Sequence, residues 1–269
     1  MKIKLKNLEI SIENNLILDD INLEINKGDV VLILGPNGHG KSTILKSIMR
    51  HYDTKISAGE IIIDDEIIND FTPDMIANKF RVYFAVQNPV EIPGLSMIEL
   101  LRNEASKSSE KISTIELFKI VNNKMQNLQL SSELLSRSIN SNFSGGEKKK
   151  SEIIQMEIIN PDIILLDEID SGLDVDAIDI IGESLKKQKE LGKTIVFISH
   201  NERLLNKIIP NKVVIIFNGK VIEIGDIELA KHINKIGYKN YAKEKNIDLE
   251  ISSDDFLKDT NKGYSCNGK

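Results

Sequence analysis

The chain has 269 residues, 41% of them hydrophobic and 28% charged, with a net charge of −6. That composition belongs to a globular protein with a substantial core, and the acidic balance, with a pI of about 5.4, disfavours nucleic acid as main partner because duplex binders carry a basic footprint. No apolar run is long enough to cross a bilayer, the N-terminus lacks the apolar stretch of a signal peptide, and the single cysteine, Cys266, sits in a polar tail, either an inert residue or a free ligand or redox thiol, so a cytoplasmic location without membrane insertion is expected.

Lys2 to Ile12 alternate apolar and polar side chains, which predicts an edge strand, and Ile17 to Ile25 predict a second. After the turn Lys27-Gly28-Asp29, the run Val30 to Leu34 is wholly apolar, as a strand buried on both faces of a parallel sheet would be. It leads into Gly35-Pro36-Asn37-Gly38-His39-Gly40-Lys41-Ser42, which fits G-x-x-x-x-G-K-[ST]. Ile44, Leu45, Ile48 and Met49 then share one helix face. Strand, glycine loop and helix form a phosphate cradle. The glycines let successive N–H groups converge on an anion, and the helix N-terminus adds its positive dipole end. Lys41 is expected to reach the β- and γ-phosphates of ATP and Ser42 to ligate Mg2+. Thr43 follows on the helix and is counted with the nucleotide-binding residues. His39 either hydrogen-bonds phosphate or projects outward.

Ile61 to Ile63 and Phe80 to Val86 predict further strands, with a turn at Asp64-Asp65. From Asn88 the character changes. Pro89, Pro93 and Gly94 open a loop, and Met97 to Ile159 shows helical spacing, for example Leu117, Val121, Met125 and Leu128 on one face. Residues 88–159 are therefore expected to be a helical insertion into a core made of 1–87 and 160–245. Within it, Ser144-Gly145-Gly146-Glu147 fits the capping box S-x-x-E. Either it only starts a helix, or its two glycines bring backbone N–H groups to an anion, such as the nucleotide of another copy. Lys148-Lys149-Lys150 is expected to be a solvated helix face rather than a basic patch.

The apolar strand Ile163 to Leu166 ends in Asp167 and Glu168. Ligands of open parallel sheets collect beyond the carboxyl ends of the strands. Asp167 is expected beside the phosphate loop, suited to Mg2+, and Glu168 could polarise a water aimed at the γ-phosphate. Strands follow at Thr194 to Ser199 and Val213 to Phe217, and Asn218-Gly219 predicts a hairpin to Val221–Ile224. The expected fold is α/β, with a mainly parallel sheet, an N-terminal antiparallel β part and the inserted helical subdomain. Residues 246–269 are polar, a frayed or disordered extension.

The phosphate loop, Phe143-Ser144-Gly145-Gly146-Glu147, Asp167-Glu168, Ser171-Gly172-Leu173-Asp174 and His200 stand in the order of the ATP-binding-cassette (ABC) ATPases, P-loop NTPases that this chain resembles over about residues 1–245. The resemblance implies an ATPase using ATP and Mg2+ in a head-to-tail dimer, with Ser144, Gly145 and Gly146 gripping the nucleotide of a second copy. It further implies that Gln87 contacts Mg2+ and the attacking water, that Asp174 lies at the dimer seam, and that His200 senses the γ-phosphate. Within that family the chain is similar to the SufC-type ATPases of iron–sulfur cluster assembly, on Gln87-Asn88-Pro89-Val90-Glu91-Ile92-Pro93-Gly94, on Arg137-Ser138-Ile139-Asn140, on Asp167 through Ala177, and on the run Gly225 to Tyr238. Transporters more often have Pro-Thr in place of Ile169-Asp170. This resemblance implies SufB- and SufD-like scaffold proteins as partners, docking on the helical insertion with the Gln87–Gly94 loop. The rival reading is the nucleotide-binding subunit of an ABC transporter.

Overall fold

The computed structural model describes residues 1–106 and 113–247. Cys266 and nearly all of the polar extension lie outside the described residues. The elements run β1 (Ile3–Ile12), β2 (Asn15–Ile25), β3 (Val30–Leu34), α1 (Lys41–Ile48), β4 (Lys55–Ile63), β5 (Glu66–Ile67), α2 (Pro73–Lys79) and β6 (Val82–Ala85). Then come β7 (Ile92–Ser96), α3 (Met97–Ser106), α4 (Thr114–Asn127), a 3-10 helix (Ser132–Ser136), β8 (Ser138–Ile139) and α5 (Gly145–Ile159). The chain continues through β9 (Ile163–Asp167), α6 (Val175–Glu190), β10 (Thr194–Ile198), α7 (Glu202–Lys207), β11 (Lys212–Phe217), β12 (Lys220–Gly225) and α8 (Ile227–Glu244).

Six strands form the central sheet in the order β12-β11-β3-β10-β9-β6, parallel except for β12. This is the expected α/β arrangement. The all-apolar strands have a direct cause. In β3, Val30, Leu32 and Leu34 pack into one core, shared with Phe197, Ile153, Ile181 and Tyr241 from the strands and helices of that side. Val31 and Ile33 point the other way, into a second core with Ile44, Leu45, Ile48 and the residues of β1, β2 and β4. A strand covered on both faces has no polar side to show.

The second core is roofed by an antiparallel sheet in the order β2-β1-β4-β5. Here the structure corrects one expectation. β1 is not an edge strand: it pairs with β2 on one side and β4 on the other. Its alternation reported that one face is buried, which an interior strand of a half-covered sheet shows equally well. The first half of β4 carried no apolar period. Gly59 lies there at φ +80°, where an added Cβ would sit 2.2 Å from the Asn7 carbonyl oxygen, so only glycine fits. The hairpin at Asn218-Gly219 forms as expected, with both residues at positive φ.

Between β6 and β9 the chain is mainly helical, and Leu117, Val121, Met125 and Leu128 are all buried on one side of α4. It also contains a two-stranded sheet, β7 with β8, that the helical spacing did not reveal. The Pro93-Gly94 pair inside β7 removes the strand signal. No helix of the described residues is long and apolar enough to cross a membrane.

Candidate functional site

Four adjacent parallel strands end on one rim of the sheet, and each delivers a residue there. β3 runs into Gly35, β6 ends two residues before Gln87, β9 ends in Asp167 with Glu168 next, and β10 ends two residues before His200. The topology therefore gathers residues that lie up to 165 positions apart, which is the geometry expected of a ligand site at the carboxyl ends of strands.

The loop from Gly35 to Gly40 needs its glycines. An added Cβ at Gly35 would lie 2.1 Å from the Ile216 carbonyl oxygen, and one at Gly40, at φ +97°, would lie 2.7 Å from Leu18. Lys41 is buried at the start of α1, and its ammonium donates to the Gly35 and Pro36 carbonyl oxygens at 2.8 and 2.9 Å. A cation so held at the mouth of a glycine loop, beside a helix N-terminus, makes an anion cradle. His39 does not project outward. It is buried, its Nδ1 accepts from the Asn218 N–H at 2.9 Å, and its ring meets the Phe217 edge.

Ser42 Oγ donates to Asp167 Oδ1 at 2.9 Å. Burial raises the Asp167 pKa, the Ser42 bond works against the rise, and the nearby Glu168 charge adds to it. A hydroxyl and a desolvated carboxylate touching each other, with the Gln87 amide on the same rim, form an all-oxygen donor set of the kind Mg2+ takes. A cation there would relieve the unfavourable burial of the Asp167 charge. Among the described residues no cluster of three or more His, Cys, Asp and Glu is present that would suit a softer metal.

Glu168 sits in the left-handed backbone region at φ +48°. That conformation costs about 1 kcal/mol or more for a non-glycine residue, and it turns the carboxylate out of the strand direction. Its Oε2 accepts from the Gln87 Nε2 at 2.6 Å. Ile169, next along, is fully buried, and Asp170 accepts from Ser199 Oγ at 3.0 Å, which ties the end of β9 to the end of β10. His200 keeps its ring partly open to solvent, yet desolvation by the surrounding loops, and secondarily the Lys41 charge, lower its pKa below the ordinary 6.5.

Ser144 is the N-cap of α5. Its Oγ accepts from the Glu147 N–H at 3.2 Å, and the Glu147 carboxylate accepts from the Ser144 N–H at 2.7 Å, so the capping box is complete. Gly145 and Gly146 are not demanded by packing inside this chain. An added Cβ at Gly145 would meet nothing within 4 Å, and at Gly146 would meet only Leu173 at 3.7 Å. Asp174 caps α6, accepting from the Ala177 N–H at 2.7 Å.

Lys149 corrects an expectation. It is not on a solvated face but 4% exposed, donating to the Val86 and Gln87 carbonyl oxygens at 3.1 and 2.7 Å. On the same helix Glu152 is buried too, and the Val86 N–H is bonded to its carboxyl group. The spacing of three residues puts both on one helix face. Sequence reasoning missed this pair because a lysine run reads as surface; the signal was the apolar run Ile153-Ile154, which shows that α5 is covered on several sides.

The family model described as "ABC transporter" matches residues 18–171, more than half of the chain. The chain belongs to the ABC transporter family. It is accordingly an ATPase. Among its relatives, the "Probable ATP-dependent transporter ycf16" of Trieres chinensis is 39% identical over 242 residues, 88% of this chain and 96% of that one. The "Probable ATP-dependent transporter slr0075" of Synechocystis is likewise 39% identical, over 88% of this chain and 94% of the relative. A solved dimer titled as a post-hydrolysis state of the ATP-binding cassette MJ0796 bound to ADP and Pi is 27% identical, with a TM-score of 0.71 over 84% of this ABC ATPase and 98% of that chain.

Proposed function

We propose that this ABC ATPase is a SufC-like subunit that couples ATP hydrolysis to an iron–sulfur cluster scaffold of SufB- and SufD-like proteins, acting as a head-to-tail dimer in the cytoplasm. Residues 88–159 serve as the inserted helical subdomain within the nucleotide-binding core of 1–87 and 160–245. The observation that carries the SufC-like assignment is the Ile169-Asp170 pair. It replaces the Pro-Thr more usual in transporters and is built into the site, with Ile169 buried and Asp170 bonded to Ser199 one residue from His200.

In this reading the N–H groups of Gly35 to Gly40 and the Lys41 ammonium hold the β- and γ-phosphates, and Ser42, Asp167 and Gln87 hold Mg2+. The metal, when bound, neutralises phosphate charge and polarises the γ-phosphoryl group. The Glu168 carboxylate accepts a proton from the attacking water as the water oxygen bonds to the γ-phosphorus and the bond to ADP breaks. Gln87, already hydrogen-bonded to Glu168, fixes that carboxylate and the water. His200 donates to the γ-phosphate. Ser144, Gly145 and Gly146 of one copy close over the nucleotide of the other, and Asp174 lies at the seam between the copies. The space beside the two glycines supports this role, and the solved MJ0796 cassette is titled as dimeric.

The loop after Gln87 is the proposed docking surface for the scaffold. Val90 is 72% exposed and Ile92 44%, in the stretch whose start is held by Lys149 of α5. A protein partner covering them would act on Gln87 directly. The reading as a transporter subunit keeps every catalytic role and draws on the printed names of the relatives, which call them transporters. A native pull-down with mass spectrometry separates the two. Recovery of SufB- or SufD-like proteins is the expected result; recovery of an integral membrane permease instead would overturn the scaffold assignment.

A further inference from the structure

The C-terminal helix reaches the ATP rim. α8 is anchored by Tyr241, 1% exposed and stacked on Phe217 at 6.0 Å. Four residues earlier, Gly237 leaves the helical conformation at φ 76°, ψ 158°, and the next residue is Tyr238. The Tyr238 ring packs edge-on to Phe217 and to His200, each at 6.0 Å. Its hydroxyl oxygen lies 3.2 Å from the Gly35 nitrogen and 3.3 Å from His200 Nδ1. One phenol oxygen thus joins the first residue of the phosphate loop to the histidine at the end of β10.

The proton count at that oxygen favours one tautomer of the imidazole. A phenol has one hydrogen to donate and lone pairs to accept with. The Gly35 N–H can only donate, so it uses a lone pair. The phenol hydrogen is left for His200 Nδ1. A neutral imidazole that accepts at Nδ1 carries its own hydrogen on Nε2. Both rings hold the required protonation at neutral pH: burial pushes the Tyr238 phenol up to about 12, and His200 is lowered from its ordinary value.

We propose that Tyr238 is a positioning residue for ATP hydrolysis, its hydroxyl holding His200 as the Nε2–H tautomer so that this N–H is the donor offered to the nucleotide. The idea rests on the role given to His200 above and deepens it. It also gives a role to the break of α8 at Gly237, whose φ of 76° lies in the region that favours glycine.

The test is long-range proton–nitrogen NMR on the full chain labelled at histidine, with the His200 ring signals assigned through His200→Gln. The expected spectrum at pH 7.5 shows an unprotonated Nδ1 and a protonated Nε2, and a mixture of tautomers in Tyr238→Phe. An Nδ1–H tautomer in the unsubstituted chain, or a spectrum unchanged in Tyr238→Phe, overturns the proposal. In kinetics, Tyr238→Phe is expected to lower kcat about ten-fold, the loss of one hydrogen bond, with KM for ATP within about two-fold. The same substitution in a His200→Ala background is expected to change kcat less than two-fold. Equal losses in both backgrounds would make Tyr238 merely structural. If His200→Ala hydrolyses ATP normally, the role of His200 fails, while the tautomer still decides what Tyr238 does to the ring.

Discussion

At the scale of single residues, the placing of the phosphate loop, Asp167 and Glu168 at strand ends was legible because the chemistry proposed for them needs fixed types at fixed spacings after a strand. Lys41 and Ser42 occupy the only places from which a glycine loop can present a cation and a hydroxyl to a triphosphate, and the structure brings Ser42 to Asp167 at 2.9 Å. The Gln87–Glu168 bond was not legible, since nothing in sequence says that residues 81 apart will touch. That bond sharpens the expectation for Glu168→Gln. The amide keeps the shape but cannot take a proton from water, so turnover should fall by roughly two to four orders of magnitude. ATP binding should be unchanged, because the phosphate cradle is built from other residues. Steady-state phosphate release with a parallel nucleotide-binding titration measures both; normal turnover would remove Glu168 from the chemistry. His39 shows the limit of motif reading. The loop tolerates several residues at that position, and only the fold reveals that the ring is turned inward to cap the Asn218 N–H.

At the scale of elements, strands buried on both faces and the amphipathic α4 were read correctly because burial leaves a plain apolar pattern. β7 and the first half of β4 were not, since Pro, Gly and polar residues carry no period. The lysine run of α5 was misread for the opposite reason: its pattern looked solvated while tertiary packing buried Lys149 and Glu152. Those two side chains clamp the backbone at Val86 and Gln87, one donating to carbonyls and one accepting from an N–H. Burial raises the Glu152 pKa from 4.5 to about 8, with Lys149 opposing the rise. In the unfolded chain the carboxyl regains its ordinary value, so between these two values the folded state binds the extra proton. Stability from this group is therefore full below about pH 4.5, declines as pH rises, and is gone above about pH 8. Glu152→Gln cannot ionise and should flatten that decline. Urea unfolding of both proteins at pH 5.5 and 8.5 measures it: the difference in stability between the chain and its variant should shift toward the variant at the higher pH, and a difference independent of pH would mean that Glu152 is ionised throughout.

At the scale of the whole molecule, the order of motifs along the chain announced an ABC ATPase more firmly than any one of them, because several independent segments standing in one fixed order are far more specific than a single motif. What the order leaves unsaid is which face meets another copy. The two glycines of Ser144-Gly145-Gly146 supply an argument from space. In this chain an added Cβ at Gly145 meets no atom within 4 Å, and the glycine stands in the first turn of α5 with its cap already satisfied by Ser144 and Glu147. Replacing it with a bulkier residue therefore costs the isolated fold little, and a better helix former even gains a few tenths of a kcal/mol. If the same surface closes on the nucleotide of a second copy, the side chain would occupy the space that the phosphate needs. Gly145→Leu should then melt at the temperature of the unsubstituted chain, bind ATP normally, and fail to form the ATP-held dimer. Sedimentation in the Glu168→Gln background, where slow turnover preserves the dimer, reads the difference directly: a dimer with ATP for Glu168→Gln alone and a monomer for the double variant. Dimers in both would show that the Ser144 segment does not face the nucleotide, and the empty space beside Gly145 would need another occupant.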